Sequence, residues 1–271
     1  MSRARGLALI TTSLTAVCLF RGTNGASAAS FGRCVKLVVK ETGKYGSSGC
    51  QEGRVAHGNY EWYPAFGAEK IKKTGFELKV SESPTVYEGS EAVEAFSCSS
   101  EGKGSGEFTS STQVGNVELI LKSCKDSPTS KCSNTGTEGE VKTEKLSGEI
   151  GVWKAEGEER HNKVGLELHA ATGEEGTVIK TMTCTDSFTR KLTGSIIAMV
   201  PPDGPNKMGT TWSLKYMHRG VEQMPEKFEG LPKPTAFEET LNEAFSRPAA
   251  MEATIEQENE ETMELNTTCT C

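Results

Sequence analysis

The fold is indicated most clearly by the stretch Cys98-Ser99-Ser100-Glu101-Gly102-Lys103-Gly104-Ser105-Gly106-Glu107-Phe108-Thr109. A cysteine is followed by a glycine-rich turn, and a Gly-Glu pair then opens a strand in which polar and apolar residues alternate. The pattern returns from Cys132 to Gly139-Glu140 and from Cys184 to Gly194-Ser195. We expect each glycine to adopt a positive φ or a bulge where its strand begins.

Alternation with a period of two residues extends from Cys34 to about Tyr216, and turn residues interrupt it at short intervals. This rhythm predicts an all-β fold, an antiparallel β-sandwich or barrel of about a dozen strands. At most one short helix is expected, from Thr235 to Phe245, because the apolar residues in that segment are spaced four apart.

The C-terminal part of the chain differs in composition from the part before it. Met251 to Gln257 and Thr262 to Thr267 alternate on either side of Glu258-Asn259-Glu260-Glu261, which predicts a final hairpin. Residues 29–271 are predicted to form a single all-β domain, which is long enough for a substantial core. A minor boundary would fall at the proline-rich residues 201–205.

Residues 1–28 have the composition of a secretory signal peptide. Arg3 and Arg5 precede a mostly apolar run from Leu7 to Phe20, and Ala26-Ser27-Ala28 offers the small residues that a signal peptidase requires. The run is too short to span a bilayer as a helix. A lipoprotein would use Cys18, but that cysteine lies inside the apolar run. We therefore expect a protein that is secreted or held in the cell envelope, with no membrane span.

The charge of the mature chain limits its partners. The signal segment carries three arginines and no acidic residue, so its removal changes the formal net charge from −7 to −10. No dense stripe of lysine and arginine exists to neutralise phosphates, which argues against nucleic acid as a partner. Only three of the acidic residues are aspartates, and the Asp-x-Asp spacing of calcium loops is absent.

Eight cysteines remain after cleavage, and an even number in an exported chain indicates disulfides. Two pairs each enclose a short turn-rich segment, and a third pair would be long-range. The predicted disulfides are Cys34–Cys50, Cys124–Cys132 and Cys98–Cys184. Zinc is the competing interpretation, but no C-x₂-C or C-x₄-C pair exists.

No catalytic or cofactor-binding motif is present. The G-x-S-x-G, P-loop and H-E-x-x-H signatures are all missing, so we predict no catalytic residue, no cofactor and no metal site. A glycosidase needs only two carboxylates a few ångströms apart, and a glutamate-rich chain leaves that alternative open. Five glutamates fall within predicted strands: Glu61, Glu107, Glu140, Glu149 and Glu167.

Tyr60 and Trp62 share one face of a predicted strand. If they are exposed, they form a platform on which a sugar ring could stack. If they are buried, they supply core area, which is the commoner role of aromatic residues in strands.

Several segments together resemble a family of uncharacterised exported β-rich proteins from soil actinobacteria. They are spread in order over nearly the whole mature chain: Phe31 to Lys36, Gly58 to Trp62, Gly106-Glu107-Phe108, Cys124 to Cys132, Gly139 to Thr143, Thr193 to Ile196 and Pro225 to Gly230. The resemblance implies an actinobacterial secreted or cell-envelope protein. It carries over no functional residue, because the family has no established activity. The terminal Cys269-Thr270-Cys271 departs from the pattern, and two cysteines so close cannot easily bond each other.

These features favour a non-catalytic binding, adhesion or structural module at the cell surface or in the medium, with a glycan or a protein as its partner. The alternative from another class is an extracellular hydrolase with a glutamate pair. A secreted inhibitor is a third hypothesis, which would need an exposed stapled loop from Ser123 to Ser133.

Overall fold

A computed structural model describes residues 29–50, 55–64, 74–89, 91–154, 163–171, 178–185, 189–200, 209–220, 222–225, 227–228, 231–232, 238–241 and 245–266. The predicted signal peptide, the boundary at 201–205, and Cys269 and Cys271 lie outside these residues. The described residues contain strands and turns but no helix, which confirms the all-β prediction. They therefore also contain no helix of the length and apolarity that a membrane crossing requires.

The strands, in chain order, are β1 (Ser30–Lys36), β2 (Tyr60–Pro64), β3 (Gly75–Glu88), β4 (Val93–Phe108), β5 (Gln113–Lys125), β6 (Cys132–Ser133), β7 (Val141–Lys142), β8 (Leu146–Lys154), β9 (Lys163–Ala170), β10 (Val178–Cys184), β11 (Thr189–Thr193), β12 (Ser195–Met199), β13 (Gly209–Tyr216), β14 (His218–Arg219), β15 (Glu222–Gln223), β16 (Lys227–Phe228), β17 (Leu231–Pro232), β18 (Glu238–Leu241) and β19 (Phe245–Asn266).

Eight of these strands pair in a closed antiparallel ring. The order around the ring is β3, β4, β5, β8, β9, β12, β13 and β19, and β19 pairs again with β3. The sequence left a sandwich and a barrel open, and this pairing closes as a barrel. Closure leaves no free edge within the ring, so each of its strands has a neighbour on both sides.

A second group of strands extends from the same ring. The first residues of β19 pair with β18, which pairs with β11, then β10, then β6. The last residues of β19 pair with β1, which pairs with β2. Strand β19 is 22 residues long and therefore takes part in the ring and in both extensions.

Alternating sequence explains which side chains form the core. On β3, Phe76, Leu78 and Val80 are buried, while Glu77 and Lys79 between them are exposed. Strand β12 is instead buried on both faces. Its Ile196 and Ala198 belong to the main core, and its Ile197 and Met199 are covered from outside together with Trp153 and Phe228. Burial on both faces accounts for the continuous apolar run in its sequence.

The predicted helix from Thr235 to Phe245 is wrong. Glu238–Leu241 is strand β18, which lies between β11 and β19, and Phe245 begins β19. Pairing on both sides satisfies the backbone hydrogen bonds of β18, and this tertiary context overrides the weak helical spacing of the apolar residues.

The predicted C-terminal hairpin is also wrong, because β19 continues through Glu258 to Glu261 without a turn. Glu256, Glu258 and Glu260 point to solvent, while Gln257 and Asn259 are buried. The acidic segment therefore follows the same alternation as the residues around it. It coincides with a register shift in which Thr211 pairs with Glu258 but Gly209 pairs with Met263.

The glycines of the recurring pattern fall into two groups. Gly139 and Gly194 have φ of +74° and +90° and lie just outside strands, as predicted. Gly106, like the whole run from Gly102, instead lies inside β4, so the turn predicted there is wrong. A Cβ on Gly106 would collide with the Phe76 ring, so this glycine is needed for close packing and not for a turn.

Two buried ionisable side chains have no hydrogen-bond partner among the described residues. They are Lys180 on β10 and Glu264 on β19. Burial lowers the pKa of Lys180 well below its usual value, and burial raises the pKa of Glu264 to about 8. Both groups are therefore driven toward their uncharged forms.

We predict that Glu264 makes the fold less stable as the pH rises. Between its ordinary pKa of 4.5 and about 8, folded Glu264 keeps its proton while the unfolded chain has lost it. The free energy of unfolding therefore falls through this window. Urea unfolding at pH 4, 6 and 8 should show a smaller fall for Glu264→Gln than for the wild type. Glu258→Gln, on the exposed face of the same strand, is the control, and equal slopes for all three proteins would refute the prediction.

Candidate functional site

A cleft of about 510 Å³ lies on the outer face of β3 and β4, where the chain leaves the end of β5. Its volume is within the usual range for small-molecule sites, but its lining is unusual in being mostly polar. Five hydroxyl side chains line it: Ser83, Thr85, Ser97, Ser99 and Ser123. Pairing places Thr85 directly opposite Ser97, so hydroxyls from adjacent strands lie side by side.

The opposite wall of the cleft is formed by the residues after β5, which include Pro128 and Lys131. A short turn folds this segment back on itself. The backbone amide of Asp126 donates a hydrogen bond to the Ser130 carbonyl at 3.2 Å. The backbones of Lys125 and Lys131 form an isolated antiparallel β-bridge. Ser130 is completely buried beneath the turn. We call residues 126–131 the wall loop.

Disulfides fix both ends of the wall loop. Cys124, before it, is bonded to Cys98 on β4, and Cys132, after it, is bonded to Cys184 on β10. The Cys34–Cys50 disulfide is present as predicted, but the predicted pairs Cys124–Cys132 and Cys98–Cys184 are wrong. Strand pairing is the reason: Cys184 lies directly opposite Cys132, and β4 runs beside β5. The loop is therefore held between the barrel and the second group of strands, and its two flanking cysteines are not bonded to each other.

A buried ion pair supports the same loop. A carboxylate oxygen of Asp126 lies 3.6 Å from a guanidinium nitrogen of Arg190 on β11, and the two side chains are only 7% and 10% exposed. An ion pair with so little solvent around it is screened much less than a surface pair. Removing either partner would leave a buried charge without compensation, which is costly.

Asp126, Cys132 and Cys184 bring three potential metal-ligand atoms within 4.8 Å of one another. The two sulfurs are bonded to each other, and a disulfide is not the thiolate that binds metals. The carboxylate faces Arg190. The disulfide and the ion pair therefore account for this grouping.

Four charged side chains complete the cleft: Glu94, Lys125, Lys131 and Glu138. Two are positive and two negative, so their formal charges cancel. Lys131 and Glu138 form an ion pair at 3.1 Å, and both side chains are more than half exposed. Such a pair adds little stability, so both groups are available to a ligand at small cost.

An aromatic pair borders the cleft. The Tyr87 ring stacks on the His218 ring with centroids 4.2 Å apart, and the Tyr87 hydroxyl donates to Glu252 at 3.3 Å. In the strand register, Tyr87 lies opposite Glu94 of the cleft, and Glu252 lies opposite Thr85, which also lines the cleft. Partial burial, and then the negative charge of Glu252, raise the pKa of Tyr87. The polar face thus continues from the cleft onto a partly exposed aromatic ring.

The predicted platform of Tyr60 and Trp62 is not available to a ligand. Trp62 is 6% exposed and packs with Tyr45 and the Cys34–Cys50 disulfide, and Tyr60 packs against the same cluster. These aromatic residues form a small satellite core, which is the role that the sequence favoured.

The five candidate glutamates do not meet in the cleft. Glu149 and Glu167 lie directly opposite each other on β8 and β9, and Glu61 forms an ion pair with Lys44 at 2.7 Å. None of the five lines the cleft described above. Glu264, whose pKa is raised, is buried on β19.

The loop from Ser123 to Ser133, which supplies one wall of the cleft, was considered only as an inhibitory loop, and the hydroxyls of β3 and β4 were not predicted as part of a site. A signal for them exists in Ser81, Ser83, Thr85 and Tyr87, which occupy alternate positions of one strand. Small hydroxyls repeated on one strand face mark a surface that apolar neighbours do not cover. The partners of that strand, and therefore the cleft, could not be read from the sequence.

Comparisons with protein-family models, with curated proteins and with solved structures find no match for this chain.

We predict that the Cys132–Cys184 bond protects the wall loop from proteolysis. The double variant Cys132→Ser/Cys184→Ser should lose about 2–4 kcal/mol of stability. Trypsin should then cleave after Lys125 and Lys131 much faster than in the wild type, as followed by mass spectrometry. Cys34→Ser/Cys50→Ser removes a disulfide that does not flank the loop and should leave cleavage at these two lysines unchanged. Equal protection in both double variants would show that the bond does not hold the loop.

Proposed function

We propose that this is an exported, non-catalytic binding protein whose cleft takes a segment of a glycan at the cell surface or in the surrounding medium. One observation carries the proposal: a single cleft is lined by five hydroxyl side chains, two positively charged side chains and two negatively charged ones. Disulfides flank the loop that forms its wall. Polyhydroxylated ligands match such a lining, because each of their hydroxyls both donates and accepts hydrogen bonds.

The rigidity of the wall loop also favours binding. Fixing the wall loop before the ligand arrives lowers the ordering cost that binding would otherwise carry. The Tyr87 ring next to the cleft, which stacks on His218 with one face, adds apolar surface of the kind against which the C–H surface of a sugar packs. Export is supported by the signal-like residues 1–28 and by three disulfides, which persist in oxidising compartments. Membership of the actinobacterial family remains a prediction.

A hydrolase is the second candidate, because Glu94 and Glu138 line the same cleft. A glycosidase would use one carboxyl as acid and the other as nucleophile or base. In the structure, Glu138 forms an ion pair with Lys131 at 3.1 Å. Release of reducing sugar from a bound glycan, abolished by Glu94→Gln, would establish this alternative in place of simple binding.

We expect a bulky side chain in the cleft to block the glycan. The mature protein is first screened on an array of oligosaccharides, and the strongest ligand is then titrated by calorimetry. Ser83→Trp should raise the dissociation constant at least tenfold, which corresponds to about 1.4 kcal/mol. Ser48→Trp is the matched control, since Ser48 is also exposed but lies outside the cleft, on the loop between Cys34 and Cys50. Equal affinity of the two variants, or no glycan bound by the wild type, would refute the proposal.

A further inference from the structure

The interior of the barrel contains hydrogen-bond donors that no described acceptor satisfies. The indole nitrogen of Trp212 and the amide nitrogen of Asn259 have no hydrogen-bond partner among the described residues, although the two residues are only 4% and 3% exposed. Trp153 provides a contrast, because its indole nitrogen donates to the Val164 carbonyl at 3.0 Å. A buried N–H group without an acceptor is costly, so both donors require an explanation.

Strand pairing brings the two donors together. Trp212 on β13 lies directly opposite Gln257 on β19, and Asn259 is two residues further along the same face of β19. Trp212 and Asn259 are therefore diagonal neighbours, roughly 7–8 Å apart at their Cα atoms. Gln257 donates its own amide hydrogen to Asn259 at 2.8 Å. That bond occupies the Asn259 oxygen and leaves its amide hydrogens available for another acceptor.

The donors lie where the barrel wall is irregular. Beyond the pair of Thr211 with Glu258, β13 next pairs at Gly209 with Met263, so four residues of β19 have no register partner on β13. On the other side of β19, pairing with β3 reaches only to Asn259. The wall is thus discontinuous next to the donors. Mouths of β-barrels are frequent ligand sites.

Aromatic rings form the remainder of this end of the barrel. The ring of Phe31 on β1 stacks on the Trp212 ring, with centroids 5.6 Å apart. The Phe108 ring packs edge-on against both Phe31 and Phe76, with centroid distances of 4.6 and 5.0 Å. None of these rings supplies a strong acceptor. The aromatic neighbours of Trp212 therefore offer the two donors no strong acceptor.

We propose that Trp212 and Asn259 bind a small uncharged hydrogen-bond acceptor, the oxygen of a water molecule or of a water-sized polar molecule, at this end of the barrel. Because these two N–H groups have no partner among the described residues, the molecule that they bind must supply an acceptor. The nearby exposed glutamates Glu256, Glu258 and Glu260 give this end a negative potential, which disfavours an anion.

The test uses the indole N–H signals of the folded mature chain, which has only three tryptophans. Each signal is assigned by replacing one tryptophan with phenylalanine. The Trp212 indole proton should show a cross-peak to a long-lived water in nuclear Overhauser spectra, and the Trp153 indole proton should show none. No water cross-peak at Trp212 in the wild type would overturn the proposal.

A variant and an anion titration complete the experiment. Asn259→Leu removes one donor, and the Trp212 water cross-peak should fall several-fold while the Trp153 signal stays in place and confirms the fold. Glu258→Gln, on the exposed face of the same strand, should leave the cross-peak unchanged. Sodium bromide should not shift the Trp212 signal more than sodium chlorate does. A saturable shift specific to bromide would show an anion site and contradict the proposal, as would an unchanged cross-peak in Asn259→Leu.

Discussion

The structure around the cleft depends on one covalent arrangement: Cys124 and Cys132, the cysteines that flank the wall loop, are bonded to different strands. Cys98 holds one end of the loop against β4, and Cys184 holds the other against β10. If the two flanking cysteines were bonded to each other, the loop would be a closed tip with no covalent bond to β4 or β10. Because they are not, the loop connects the barrel to the second group of strands and forms a fixed wall.

Strand β19 supplies the other half of the architecture. It pairs successively with β18, β3, β13 and β1, so one strand holds together the barrel and both of its extensions. Its exposed residue Glu252 lies opposite Thr85, which lines the cleft. Its buried residues Gln257 and Asn259 face the barrel interior. The two proposed sites therefore lie on opposite faces of neighbouring strands, and each depends on the register that β19 adopts.

Local patterns in the sequence predicted what local forces decide. Alternation identified the all-β class and most strands, and the turn-rich segment between Cys34 and Cys50 identified their disulfide. The errors arose where distant strands decide the outcome. Glu238–Leu241 is a strand because β11 and β19 lie on both sides of it, and Glu258 to Glu261 form no turn because β3 and β13 hold β19 extended up to that point. The partners of Cys98 and Cys132 follow from strand pairing that no sequence spacing encodes.

The most direct test of this account is a tryptic map of the oxidised protein under non-reducing conditions. Cleavage after Lys122, Lys125 and Lys131 separates Cys124 from Cys132, so their partners can be told apart. The account predicts that the peptide 123–125 is linked to 80–103, and that 132–142 is linked to 181–190. A link between 123–125 and 132–142 would contradict it, because the wall loop would then be closed on itself and the cleft would lose its fixed wall.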